Sequence, residues 1–243
     1  MKCLKKFVPY LIIIAVVTGV VFAGSGFEKN SAVHSASENN PVIILDAGHG
    51  GVDGGAVAAD GTSEKNLNLD IVLKMQSYLE KLGYKIILTR NEDISLHSDD
   101  AETIRQKKVS DLHNRLEIIK SNPDSVFVSV HQNYYTQSKY SGAQVFYSVN
   151  NQQSEKLASC IQNSIVSSLQ PDNTRKIKPS GDSIFLLSNS TVPSVLVECG
   201  FLSNPAETEK LKNENYRMQM AEYICKGIID YINGCESETA VDD

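Results

Sequence analysis

From residue 41 onward, short runs of consecutive apolar residues alternate with segments of helical periodicity. Pro41–Leu45 (PVIIL), Tyr84–Thr89 (YKIILT), Val126–Val130 (VFVSV), Ala143–Val149 (AQVFYSV), Ser183–Leu187 (SIFLL) and Ser194–Glu198 (SVLVE) read as strands. Asn66–Gly83 places Leu67, Ile71, Met75, Leu79 and Leu82 on one helical face and stops at Gly83. Val109–Lys120, Ser154–Leu169, Glu207–Leu211 and Asn215–Ile232 read as further helices, and Arg90–Lys108 as a long polar connection. Uninterrupted Val/Ile/Leu strands between helices predict the α/β class. The expected fold is a single three-layer domain with a mostly parallel central sheet and helices on both faces.

The N-terminus follows another pattern. Phe7–Ala23 is a charge-free apolar run of 17 residues preceded by Lys2, Lys5 and Lys6. That length is at the lower limit for crossing a bilayer, and the lysines keep the N-terminus cytoplasmic. Val21-Phe22-Ala23 also serves as a small-residue cleavage site, so residues 1–24 are either a signal peptide or a membrane anchor. Both readings export the remainder: a Ser/Asn/Gly-rich linker over 25–40, a single folded domain over 41–234, and an acidic tail over 235–243.

Charge narrows the function. The formal net charge is −6, and setting aside the three leader lysines leaves −9 for the exported part. This argues against nucleic-acid binding, which needs a basic face. It also argues against electrostatic retention on an anionic wall or membrane. The five cysteines show no C-x-x-C spacing. Cys160 and Cys225 read as small buried hydrophobes, and Cys199 as packing.

The chemistry gathers where strands end. PVIIL runs into DAGHGGVDGGA, which carries His49; VFVSV runs into His131; SVLV ends in Glu198. In open α/β sheets ligands bind at the carboxyl ends of strands, where strand order reverses. Glu64 stands just before the Asn66 helix, on the loop leaving the His49 segment. Two imidazoles and one carboxylate form an open zinc set, and a second carboxylate is then available as general base. We assign His49, Glu64 and His131 as metal ligands and Glu198 as the base, although composition alone does not divide the two glutamates. Asp46 and Asp53 flank the His49 loop, either as second-layer supports or as turn formers.

These residues lie in a series of motifs: ILDAGHGGVDGGA, SEKNLNL, GYKIILTRNED, NRLEI, VSVHQN, SGAQVFY and VPSVLVECGFLSNPAE. In this order they resemble the zinc-dependent N-acetylmuramoyl-L-alanine amidases of the Amidase_3 family, over about Val42 to Ile232. The resemblance implies that His49, Glu64 and His131 bind Zn2+ and that Glu198 is catalytic. The implied reaction cleaves the amide between N-acetylmuramic acid and L-alanine in peptidoglycan. The wording and the absence of wall-binding repeats are similar to those of germination-specific amidases of the spore cortex, whose action leads to muramic-δ-lactam. Peptidoglycan is then the substrate partner, with membrane contact through the N-terminal segment if it is uncleaved, and an accessory protein left open. Tyr134 departs from the family pattern, standing where a small residue is expected.

Two rival functions remain at this level. A zinc carboxypeptidase or endopeptidase acting within the peptide stems would share the metal site and differ only in its products. A catalytically silent wall-binding regulator would be expected to have lost one of the four site residues, and all four are present. Asn133 is a further candidate for contacting a substrate amide. Arg175 and Lys178 are candidates for substrate carboxylates, and Tyr134, Tyr135 and Tyr140 for sugar stacking. His97 and His113 share no edge with the others and read as solvated or structural.

Overall fold

The computed structural model describes residues 40–234 of the protein. The expected leader, nearly all of the linker and the acidic tail lie outside the described residues. In chain order the elements are β1 (Val42–Ala47), α1 (Glu64–Lys81), β2 (Ile86–Leu88), α2 (Ile104–Lys120), β3 (Ser125–Asn133), β4 (Gln144–Tyr147), α3 (Gln153–Ser168), β5 (Lys178–Pro179), α4 (Phe185–Asn189), β6 (Ser194–Phe201), α5 (Pro205–Lys212) and α6 (Glu214–Ile232). The strands form one six-stranded sheet in the order β2-β1-β3-β6-β4-β5. β2, β1, β3 and β6 run parallel, β4 is antiparallel to β6, and β5 is parallel to β4.

Alternation along the strands divides two cores. Ile43 and Leu45 of β1, Val128 of β3, and Val195 and Val197 of β6 pack with α1, α3 and α6 on one face. Ile44, Phe127 and Leu196, one position out of phase, pack with α2 and α4 on the other. Each such buried apolar side chain contributes about 1.5–3 kcal/mol. The three-layer, mostly parallel architecture expected from the sequence is therefore present. β1 is flanked by β2 on one side and β3 on the other, so the crevice between the carboxyl ends of β1 and β3 is the point where strand order reverses.

Several local expectations change. Ser183–Leu187 is not a strand: a 3-10 turn over Gly181–Ser183 leads into α4, which turns Leu186 and Leu187 into the second core. A five-residue apolar run has no periodicity long enough to separate the two states. α2 begins at Ile104, five residues before the expected Val109, because Thr103 and Gln106 form a reciprocal capping box. β3 continues through His131 to Asn133, and β6 continues past Glu198 to Phe201. Cys160 is disulfide-bonded and not simply a buried hydrophobe, whereas Cys199 and Cys225 are free and buried.

Candidate active site

His49 sits on the loop leaving β1 with φ 63°, a left-handed backbone that non-glycine residues seldom adopt. Two buried arginines hold the loop in that shape. Arg115 of α2 donates to the carbonyls of Ala47 and His49, and also pairs with Asp46. Arg90, just after β2, donates to the carbonyls of Ala47, Gly48, Lys65 and Glu92. The Asp53 carboxylate lies 2.9 Å from His49 Nδ1, which leaves Nε2 to face Glu64. Burial alone would depress this imidazole, but the hydrogen bonds with Asp53 and Glu64 raise its pKa to about 9.

Glu64 opens α1 and is 3% exposed. Its Oε1 is 3.2 Å from His49 Nε2 and 3.0 Å from His131 Nδ1, and accepts the Gln132 N–H at 3.0 Å. Oε2 is occupied by the Ala56 N–H at 2.7 Å. Burial would raise the Glu64 carboxyl, but its hydrogen bonds with His131 and His49 hold it well below the usual carboxylate range. One ligand atom each from His49, Glu64 and His131 lies within 4.8 Å of the others, a group able to hold a metal ion. Glycines make the convergence possible. A Cβ on Gly48 would lie 2.2 Å from the His131 ring, and one on Gly55 would lie 2.5 Å from Glu64 Oε2.

Glu198 stands directly opposite His131 in the parallel β3–β6 register, with Gln144 opposite it on the β4 side. Its Oε2 is buried and has no hydrogen-bond partner among the described residues. Burial pushes the carboxyl up to about 7, against the lowering effects of His131, His49 and Arg175. The four residues singled out in the sequence are thus gathered at one edge of the sheet.

The N-acetylmuramoyl-L-alanine amidase model of the Amidase_3 family matches residues 43–230. The chain belongs to this amidase family. The germination-specific N-acetylmuramoyl-L-alanine amidase of Bacillus subtilis is 37% identical over 190 residues, covering 78% of this chain and 79% of that protein. The amidase AmiA of Escherichia coli is 27% identical, covering 89% and 84%. Among solved structures, the CwlD amidase from Clostridioides difficile in complex with the GerS lipoprotein has a TM-score of 0.77 and 46% identity, covering 80% of this chain and 99% of that one.

Other sequence candidates separate within the amidase domain. Asp53 does support a site histidine, whereas Asp46 is a core acid, buried with Arg115, Ser129 and Thr89. Tyr134 and Tyr135 are half-exposed just after β3, and Tyr135 meets Tyr140 edge-on at 5.1 Å. His113 packs edge-on against Phe185 on the second face, away from the site histidines. Arg175 stacks 4.9 Å over Phe201 and donates to Gln144 Oε1, whereas Lys178 is exposed on β5. Arg90, Arg115, Asn68 and Gln132 lie within the sequence motifs, where the pattern alone assigns them no role. In the amidase Asn68 donates to the Gly48 carbonyl and accepts from Gln132 Nε2, locking α1 to the loop after β1 and to β3. The available signal was polarity inside otherwise apolar segments, since a buried Arg or Asn needs partners.

Proposed function

We propose that this amidase is a zinc enzyme acting on peptidoglycan, with His49, Glu64 and His131 as the zinc ligands and Glu198 as the general acid–base. It hydrolyses the amide between N-acetylmuramic acid and L-alanine. The observation that carries the reading is the convergence of two imidazole nitrogens on Glu64 Oε1 beside Glu198, whose Oε2 has no hydrogen-bond partner among the described residues. The donor set suits zinc: ligands at about 2.0 Å on one tetrahedron lie roughly 3.3 Å apart, close to the 3.0 and 3.2 Å separations found.

Bound zinc supplies Lewis acidity, polarising the amide carbonyl and acidifying water. The protein supplies the rest. Asp53 orients His49, the Gln132 and Ala56 amides orient Glu64, and Glu198 accepts the proton of the attacking water. Glu198 then delivers that proton to the L-alanine nitrogen as the C–N bond breaks, ending ready for another cycle. A pKa near neutrality suits a group that must both take and give a proton.

The likeness to the germination-specific relative and to the solved CwlD amidase supports action in the spore cortex. The GerS lipoprotein in the latter complex supports an accessory partner for this chain too. The site of action is extracytoplasmic, with the protein anchored or released according to the fate of residues 1–24. Mass spectrometry of cortex-type peptidoglycan digested with zinc-loaded protein tests the activity. Free L-alanine amino termini and intact glycan are expected, with Glu198→Gln as control. New termini inside the stems, with none on L-alanine, would overturn the reading in favour of an endopeptidase.

A further inference from the structure

On the β4 side of Glu198 a cavity of about 400 Å3 is lined by Asn173, Arg175, Asn204, Glu207 and Lys210, among others. Arg175 belongs both to this cavity and to the surroundings of the acid–base. Its Nη2 donates to Gln144 Oε1 at 2.5 Å, Gln144 stands opposite Glu198 across the β4–β6 pair, and its charge acts on the Glu198 carboxyl. Its Cζ also lies 4.9 Å over the Phe201 ring, a cation–π contact that helps hold the guanidinium in place. Its Nε is buried without a hydrogen-bond partner among the described residues, a condition that ordinarily costs about 1–3 kcal/mol and calls for an acceptor.

The acid in the cavity wall is already engaged. Glu207 Oε2 accepts the N–H groups of Gly142 and Phe201, both at 3.0 Å. Burial raises the Glu207 carboxyl, so it opposes an incoming anion less than a solvated carboxylate would. Lys210 of α5 adds a second cation. In a chain whose exported part carries −9, anion recognition cannot come from long-range charge and needs such a local pair.

We propose that Arg175, assisted by Lys210, binds a free carboxylate of the peptide stem and so seats the leaving peptide on the β4 side of Glu198. A planar guanidinium in a cavity wall matches a carboxylate, and such charge-assisted bonds are about twice as strong as neutral ones. The proposal rests on the amidase reading and adds to it where the stem lies and what recognises it. Arg175 is then a specificity-determining residue.

Steady-state kinetics on two synthetic muropeptides, identical except that the stem carboxylates are free in one and amidated in the other, test this. Wild type is expected to favour the free acid by about tenfold in kcat/KM, mainly through KM. Arg175→Ala abolishes the preference, Arg175→Lys recovers part of it, and Lys210→Ala on the exposed helix reduces it without touching the stacked guanidinium. A preference that survives Arg175→Ala, or equal losses on both substrates in Arg175→Ala and Lys210→Ala, would overturn the proposal alone. A zinc-loaded wild type that cuts within both stems and frees no L-alanine amino terminus from either would overturn the amidase reading, and this proposal with it.

Discussion

Glu64 meets both imidazoles and two backbone amides, whereas Glu198 Oε2 meets no hydrogen-bond donor among the described residues. That contrast supports the proposed division into ligand and acid–base, and it depends on residues far apart in the chain, so no local pattern around either glutamate could show it. Glu198→Gln should lower kcat by roughly 10²–10⁴ while zinc content, read by atomic absorption, stays near one per chain. The same substitution should stabilise metal-stripped protein. A carboxyl raised to about 7 makes wild-type stability fall as pH rises from 4.5 to 7, by about 1–3 kcal/mol. The Gln variant should lack that slope, and thermal melts across pH 4–8 read the difference. Gly48 is a sharper steric probe. A Cβ there meets the His131 ring at 2.2 Å, so Gly48→Ala should weaken zinc binding by tenfold or more with far-UV circular dichroism unchanged. Retained zinc affinity would mean that His131 is not held as a ligand.

β1 and α2 are joined by a buried ion pair between Asp46 and Arg115, and the same guanidinium holds the His49 carbonyl. Removing one partner of such a pair costs about 3–5 kcal/mol. Arg115→Ala should therefore lower Tm by roughly 10 °C and loosen the metal loop. Burial would raise Asp46, but Arg115, Ser129 and Thr89 lower it to about 2. A depressed carboxylate stabilises above its unfolded pKa of 3.8. That contribution, about 2 kcal/mol, disappears as pH falls from 3.8 through 2. In urea titrations between pH 2 and 5, Asp46→Asn should lose stability less steeply than wild type. Element by element, the long periodic helices and the Val-rich strands were legible, because burial on one or both faces writes itself into spacing. The α4 helix was not, since SIFLL is too short to show a period. The early start of α2 was written in Thr103 and Gln106, a capping signature with no apolar periodicity to announce it.

At the scale of the molecule, the site edge was legible because three chemistry-bearing residues follow three apolar strands. The bracing by Arg90 and Arg115 was not, because it spans loops and helices distant in sequence. Metal linkage should be visible in the whole fold. Zinc at about one hundred times its Kd adds about 2.7 kcal/mol, so zinc should raise the Tm of chelator-treated protein by roughly 5–10 °C. His131→Ala should abolish that shift in calorimetry. Asn40 and Gly234, the two ends of the described chain, line one groove with Val42, Ser125 and Pro193, at the amino ends of the strands. The catalytic crevice is at the opposite edge. The chain therefore enters the described domain at Asn40, on the edge of the sheet opposite the proposed site. If residues 1–24 stay uncleaved as an anchor, the sixteen residues 25–40 reach at most about 55 Å, and that reach would bound the wall such an anchored enzyme could work on.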